Sequence, residues 1–275
     1  MLQQQQQQLA VWMRSLVLLH LFLLQVPLTR AHWEDYKYGH QGSELHKKSC
    51  CSWKCILFTL QWPGGFCQSL NKEIPCRIPE SIKTWTIHGL WPLHAQHCCN
   101  CWPMFHSDIE DLEAELYEHW PSLITTKSSF HFWRDEWNKH GVCAACVEGM
   151  NSPPRYFQNC LKLQRQFDIR KLLEEANITP SCERPYKFGE VHSVLAPHLG
   201  NKLEIQCVKD TRDREVWFQL KIPLSQNLTV SCNHYIDTEA DYRLGQNIYS
   251  GHPCPPGVPF YYFPINHQQP KQPCG

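Results

Sequence analysis

The chain has 275 residues, of which 42% are hydrophobic and 12% aromatic, enough for the core of one large domain or two small ones. Its 26 basic residues balance 26 acidic ones, so no overall positive charge attracts polyanions, and any site for one must be local. The 16 cysteines favour an oxidising compartment, because few cytosolic proteins of this size carry so many unless they bind several metals.

Residues 1–31 have the pattern of a secretory signal peptide. The apolar run over 16–26 is shorter than the ~20 residues that a membrane-spanning helix needs, and the small residues ending at Ala31 predict cleavage after it. An uncleaved signal anchor is the alternative. Asn177 and Asn227 each open an N-glycosylation sequon, which agrees with a secretory route.

Beyond the signal peptide we expect one domain without repeats or a linker. Residues 32–49 are polar and aperiodic and are interpreted as a loose leader. The domain is predicted over 50–264, followed by a C-terminal tail over 265–275. Trp53–Trp62 is rich in β-forming residues and stops at Pro63-Gly-Gly, which predicts a buried strand closed by a turn.

A second strand is predicted over Thr84–Pro92, where polar and apolar residues alternate. His88 lies near the strand end, and Gly89 interrupts the alternation just after it. A single histidine on a strand is more often structural than functional. Only a partner across a cleft would reverse that preference.

The candidate partner lies on a predicted helix. Glu136 and His140 are four residues apart and share one face, with Lys139 beside them. Gly141 is expected to cap the helix, so His140 would lie in its last turn, where the helix dipole and Glu136 favour the imidazolium form. This arrangement suits acid–base chemistry on an anionic substrate. The alternative is an amphipathic helix with ordinary i,i+4 pairing.

Two cysteine motifs admit other interpretations. A cluster of possible zinc ligands is interpreted as disulfide-forming, because its spacing lacks two regular metal-binding pairs: His94, His97, Cys98, Cys99 and Cys101. Cys143-Ala-Ala-Cys146 has the spacing of a redox dithiol, but no βαβ pattern surrounds it.

The remaining elements follow from periodicity. Helices are predicted over 107–117 with Ser107 as N-cap, 154–167, 169–176 and 187–199. Paired strands are predicted over 203–207 and 215–223, with a further strand or extended segment over 228–235. The proline-rich end from Pro253 is expected to be extended and fixed by Cys254.

Three segments closely resemble, in order, the conserved segments of the ribonuclease T2 family: Phe58–Pro63, Trp85–Pro92 and Phe132–Cys143. The resemblance implies an α+β fold, a single disulfide-stapled domain with a central antiparallel β-sheet flanked by helices. The implied activity is metal-independent endonucleolytic cleavage of single-stranded RNA through a 2′,3′-cyclic phosphate, without a cofactor. The implied protein is a monomer, secreted or in the lumen of lysosomes or endosomes, that does not cut DNA and has no membrane association after signal cleavage.

The resemblance also implies roles for individual residues. His140 looks like the general base on the 2′-hydroxyl and His88 like the acid that protonates the leaving 5′-oxygen, with Glu136 stabilising charge on the phosphorane. The implied substrate-binding residues are Lys139 beside Glu136, Trp91 as an aromatic platform for a base, and Gln61 for the second base.

This chain departs from the family pattern at Asp135, where many members have a third histidine. A carboxylate there would repel phosphate, so we expect weaker substrate binding with the mechanism retained. The implied disulfides are Cys67–Cys76, Cys143 with Cys99 or the adjacent Cys98, and Cys207–Cys254. The position of the usual partner of Cys232 holds Lys221, so Cys232 is expected to be free or paired elsewhere.

Two other functions compete with this one. A protein that keeps the ribonuclease fold but acts as a binding or signalling factor is the main alternative. The presence of His88, Glu136, Lys139 and His140 argues against it. A zinc or thiol-redox protein is the more distant possibility.

Overall fold

The computed structural model describes residues 52–95, 98, 102–232 and 251–275. The predicted signal peptide and leader, together with His97, Cys99 and Cys101, lie outside these ranges, as does the end of the predicted segment over 228–235. The described residues form helices packed beside a seven-stranded sheet, which confirms the α+β class expected from the sequence.

The strands of the described ranges are β1 (Cys55–Gln61), β2 (Thr86–Pro92), β3 (Pro185–Tyr186), β4 (Glu204–Lys209), β5 (Glu215–Ser225), β6 (His252–Pro253) and β7 (Phe260–Tyr261). The α-helices are α1 (Pro63–Ser69), α2 (Glu113–His119), α3 (Ser129–Glu136), α4 (Val142–Ala144), α5 (Pro153–Gln166), α6 (Ile169–Glu175) and α7 (Phe188–Leu199). A π-helical segment over Trp137–Gly141 joins α3 to α4.

The sheet is ordered β2-β1-β5-β4-β6 with antiparallel neighbours, while β7 pairs with β3 and runs parallel to the start of β5. β5, with 11 residues, is the longest of the described strands. It pairs with β4 along one side and with β1 and β7 along the other. The predicted pairing of the two strands near 203–207 and 215–223 is confirmed.

Every residue of β1 is buried, as its β-forming composition predicts. The expected turn at Pro63 is wrong, because Pro63 instead occupies the first turn of α1, where its missing N–H costs nothing. A Cβ atom on Gly65 would lie 2.0 Å from the carbonyl oxygen of Trp217. Glycine therefore allows α1 to pack directly on the backbone of β5.

Behind the sheet lies a cluster of buried aromatic rings. The ring centroids of Trp62 and Tyr262 are 4.6 Å apart, and those of Trp85 and Trp217 are 4.7 Å apart. The indole N–H groups of Trp62 and Trp85 both find acceptors: Trp62 donates to the carbonyl of Phe263 at 2.6 Å, and Trp85 donates to the Tyr262 hydroxyl at 3.1 Å. The cluster fixes the C-terminal segment against β1 and β2.

The helix predicted over 107–117 differs from expectation. Two 3₁₀ turns, His106–Asp108 and Glu110–Leu112, come first, and α2 begins only at Glu113. The Asp108 side chain accepts a hydrogen bond from the Phe105 amide at 2.8 Å. Because Asp108 satisfies the amide at the start of the first turn, Ser107 does not act as the cap.

Five disulfides join described residues: Cys55–Cys232, Cys67–Cys76, Cys98–Cys143, Cys182–Cys274 and Cys207–Cys254. The assignment of Cys99 to Cys143 is wrong, because Cys143 is bonded to Cys98. Cys232 is bonded to Cys55 of β1, while Lys221 forms an ion pair with Glu204 at 3.1 Å. A charge pair within the sheet therefore occupies the place of a disulfide.

The segment over 265–275 is attached to the domain. Cys274 is bonded to Cys182, and Gln68 of α1 donates to the carbonyl of Pro270 at 3.1 Å. Over the described ranges, no helix combines the length and apolar character required to cross a bilayer.

Candidate active site

His88 lies at a β-bulge. Ile87 is paired with Leu60 and Gly89 with Thr59, which leaves His88 as the extra residue in β2. A bulge of this kind bends the strand and redirects one side chain. The prediction that His88 lies near the end of its strand is wrong, because β2 continues to Pro92, and the bulge instead redirects His88 from within the strand.

The sheet and a neighbouring indole hold His88 in place. Its Nδ1 lies 3.0 Å from Oε1 of Gln219 on β5, so Nδ1–H donates to the amide oxygen and this hydrogen bond orients the ring. The Trp120 indole N–H donates to the His88 carbonyl at 3.1 Å. The Tyr156 hydroxyl donates to the carbonyl of Leu90 at 2.9 Å. Both backbone carbonyls beside the bulge are thus satisfied.

The opposite side of the site is a continuous helical segment. Ser128 caps α3 by accepting from the His131 amide at 3.2 Å. The predicted C-cap at Gly141 is wrong, because Gly141 has right-handed helical angles (φ −59°, ψ −41°) and the chain continues into α4. A Cβ atom there would lie 2.2 Å from the Trp137 ring. Gly141 is therefore required by close packing rather than by helix termination.

The predicted i,i+4 geometry is also altered, because Lys139 and His140 belong to the π-helical turn Trp137–Gly141. π-Turns within α-helices are frequent at functional sites, since the wider turn changes side-chain directions. Trp137 is fully buried and donates to the carbonyl of Trp102 at 2.9 Å, whereas Lys139 is exposed and His140 partly exposed. The turn therefore presents the cation and the imidazole outward.

Trp91 connects the two sides. Its indole N–H donates to Oε2 of Glu136 at 2.7 Å. Its ring centroid lies 5.1 Å from that of His88, in an edge-on arrangement, and 5.3 Å from that of His140. A Cβ atom on Gly89 would lie 2.1 Å from Trp91 Nε1 and 2.2 Å from Glu136 Oε2, so only glycine leaves room for this hydrogen bond.

Burial dominates the protonation of the site. It lowers the pKa of His88 to about 4, although the hydrogen bond to Gln219 acts in the opposite direction. It lowers the pKa of His140 to about 3, with Lys139 contributing. It raises the pKa of Glu136 to about 7 against the effect of the Trp91 hydrogen bond. The expectation that His140 is favoured as imidazolium is wrong, because burial and the charge of Lys139 lower its pKa, and the helix does not end beside it.

Gln61 is the substrate-binding candidate that the structure places away from the surface. Its side chain is 1% exposed, and it lies across the sheet from Thr86 on one side and Gln219 on the other. The structure thus brings together His88, Trp91, Glu136, Lys139 and His140, but leaves Gln61 within the sheet.

The two cysteine motifs do not form metal or dithiol sites within the described residues. Cys98 and Cys143 are bonded to each other, which removes one potential zinc ligand and one half of the redox pair. Over the same ranges, no group of three or more His, Cys, Asp or Glu side chains is arranged to hold a metal ion. Cys160 is a buried thiol.

Sequence reasoning missed several supporting residues. Gln219 was inside a predicted strand, but nothing in the sequence indicated that this strand would lie near His88. Neither Trp120 nor Tyr156 was a site candidate, although Tyr156 lies in the helix predicted over 154–167. Gly89 was visible as a break in the strand, and a glycine beside a candidate catalytic residue was the signal for close packing.

The departure at Asp135 also has a structural counterpart. Oδ2 of Asp135 lies 2.6 Å from Nζ of Lys127, and both side chains are partly exposed. The carboxylate is therefore paired with a cation rather than facing the site as an isolated charge.

Comparison with known proteins agrees with the fold. The Ribonuclease T2 family profile matches residues 53–236. Human ribonuclease T2 is 34% identical over 176 residues, covering 64% of this chain and 67% of that protein. Ribonuclease Oy of Magallana gigas is 29% identical over 223 residues, which cover 78% of this chain and 98% of ribonuclease Oy.

The crystal structure of human RNase T2 matches with a TM-score of 0.63 and 29% identity, covering 77% of this chain and 99% of that one. The profile match spans more than half of the sequence and includes both segments that carry the site. The chain therefore belongs to the ribonuclease T2 family, a family of RNA endonucleases.

Proposed function

We propose that this protein cleaves single-stranded RNA without a metal ion, by transferring the phosphodiester from the 5′-oxygen to the neighbouring 2′-oxygen. The products are a 2′,3′-cyclic phosphate and a fragment with a free 5′-hydroxyl. Because the 2′-hydroxyl is the nucleophile, DNA is not a substrate.

Two histidines carry the proton transfers. Neutral His140 accepts the proton of the 2′-hydroxyl as the oxygen attacks phosphorus, and the imidazolium of His88 donates a proton to the leaving 5′-oxygen. Each transfer typically contributes about 10²–10⁴-fold to the rate. The low pKa of His140 keeps it neutral as a base, and the hydrogen bond to Gln219 occupies Nδ1 of His88, so Nε2 is the nitrogen assigned to the acid.

Glu136 and Lys139 stabilise the phosphorane. With its pKa raised to about 7, Glu136 is neutral at acidic pH, so it can donate a hydrogen bond to a phosphate oxygen without repelling it. Lys139 supplies positive charge from the exposed side of the π-turn. Trp91 is partly exposed and offers a ring surface on which an unpaired base can stack.

One observation supports this proposal most directly: a single indole, Trp91, contacts Glu136 by a hydrogen bond and both imidazoles through its ring. A protein acting only by binding or signalling would not need a buried carboxyl and two histidines around one indole. Loss of catalysis would remove at least one of them.

The test is cleavage of a single-stranded oligoribonucleotide in EDTA by the purified protein, beside His88→Ala and His140→Ala. We expect cleavage by the unaltered protein, a cyclic phosphate product, and losses of about 10²–10⁴-fold in each variant. Undiminished cleavage by either variant would refute the assignment. Inactivity of the unaltered protein would favour the binding or signalling alternative.

We further infer that the protein enters the secretory route and acts outside the cell or in the lysosomal or endosomal lumen. The signal-peptide pattern over 1–31 and the five disulfides among described residues support this. Asn177 and Asn227 are both exposed, as glycosylation requires.

A further inference from the structure

We propose that Lys127 binds a phosphate of the RNA backbone and that Asp135 positions it, so that the pair supplies a second cationic contact beside Lys139. This inference rests on the proposed function, since it assigns a substrate contact to the same site. Lys127 lies outside the three segments that carry the family resemblance, and Asp135 is the position at which this chain departs from the family pattern.

The first argument is position. Nζ of Lys127 lies 5.6 Å from the centroid of the Phe132 ring, and the same ring lies 5.9 Å from the ring of His88. Phe132 is buried between them. A phosphodiester held at His88 thus has the flexible Lys127 side chain one aromatic ring away.

The second argument is electrostatic. Burial is the main cause of the altered pKa values of His88 and Glu136, but the charge of Lys127 lowers the pKa of both. Lys127 therefore contributes positive potential at the two groups that flank the proposed phosphate site. Positive potential at that point stabilises an incoming phosphate as well as the phosphorane.

The third argument concerns the ion pair itself. An ammonium group has three N–H donors, so one contact to Asp135 at 2.6 Å leaves two for phosphate oxygens. Lys127 directly precedes the N-cap of α3, where the helix dipole disfavours a cation, so the charge does not serve to stabilise the helix. The ion pair with Asp135 holds the amine over the Phe132 ring.

The loop that carries Lys127 is anchored. The Lys127 amide donates to the carbonyl of Ile124 at 3.1 Å, and the Thr125 amide donates to the carbonyl of Pro75 at 3.2 Å. Ile124 also forms an antiparallel β-bridge with Cys76, and a disulfide joins Cys76 to Cys67. The backbone of this contact is therefore set before a substrate arrives.

The experiment measures RNA affinity in the His140→Ala background, where binding can be followed without cleavage. Lys127→Met is compared with Lys171→Met, which removes an ion-paired lysine on the remote helix α6. We expect Lys127→Met to weaken binding of a single-stranded oligoribonucleotide about tenfold, as for loss of one charge-assisted hydrogen bond. Lys171→Met should leave the affinity unchanged.

Salt dependence provides a readout that a structural role would not change. Each phosphate contact to single-stranded nucleic acid adds about 0.7 to the slope of log affinity against log salt concentration, so Lys127→Met should reduce that slope by about 0.7. Lys127→Arg should retain most of it. An affinity and slope equal to those of Lys171→Met would overturn the proposal.

Asp135 is tested by a double-mutant comparison. Asp135→Asn should weaken binding by less than Lys127→Met, and it should have no effect once Lys127 is methionine. Tighter binding by Asp135→Asn would instead mean that the carboxylate repels RNA. If the unaltered protein failed to cleave RNA but Lys127→Met still weakened binding, the proposed reaction would be refuted and the phosphate contact of Lys127 would be supported.

Discussion

The two sides of the site hold their histidines in different ways. On the strand side, His88 stands on a bulge, its ring is bonded to Gln219 of β5, and its carbonyl accepts from Trp120. On the helical side, the ring of His140 contacts Trp91, and it has no hydrogen-bond partner among the described residues. The proposed acid is therefore oriented by polar contacts across the sheet, and the proposed base by the shape of a π-turn and an aromatic contact.

This difference agrees with the two proposed roles. An acid must present a particular nitrogen, and a fixed donor at Nδ1 of His88 determines which one remains for the substrate. A base that is neutral before the reaction needs an accessible lone pair and little else. The substrate itself can orient the ring of such a base by hydrogen bonding to it.

The largest expected effect is the dependence of kcat/KM on pH, in which the two imidazoles control different limbs of the profile. His140 must be neutral, so kcat/KM should rise as pH increases through its pKa of about 3, and His88 must be protonated, so kcat/KM should fall as pH increases through about 4. Above about pH 4 the loss of one proton from His88 should lower kcat/KM about tenfold per pH unit. A pH profile of kcat/KM that is highest near neutrality would contradict the lowered pKa of His88 during the reaction.

Gly89→Ala should have the next largest effect, because the new Cβ would displace the hydrogen bond between Trp91 and Glu136. We expect kcat to fall about 100-fold, the range for misplacement of a catalytic group by about 1 Å. Gly189→Ala is the control, since nothing lies within 4 Å of a Cβ atom there. Equal activity of both variants would show that the contact between strand and helix is dispensable.

Gln219→Leu tests the strand side alone. Loss of the hydrogen bond should lower the pKa of His88 further, since that bond raises it, and should reduce kcat/KM about tenfold near the optimum. Only the falling limb of the pH profile should move. Gln206→Leu, a buried glutamine of the neighbouring strand, serves as the control. A shift of the rising limb would indicate that Gln219 acts on both histidines.

The sequence predicted the central elements of this site but not their contacts. Alternation in β2 and the residue types at 136–140 marked His88, Glu136 and His140 as candidates, because those signals are local, and the family resemblance then implied their roles. The π-turn was missed since Gly141 has the same appearance as a cap glycine, and only the packing of Trp137 distinguishes the two. Gln219 and Lys127 could not be found, because their proximity to the site depends on sheet order and on a loop anchored to Cys76.

The smallest expected effect on activity concerns the disulfide nearest the helical side. Cys143 lies three residues after His140, so replacing Cys98 and Cys143 by serine should loosen the segment that follows the π-turn and lower kcat about threefold, since positioning errors are small when the helix remains folded. Cys182–Cys274 closes a loop elsewhere, and its removal should leave kcat unchanged.

Loss of either disulfide should lower the free energy of unfolding by about 2–4 kcal/mol, measured by denaturant titration. If both pairs of variants lowered kcat equally, the disulfide at Cys143 would have no specific role in placing His140.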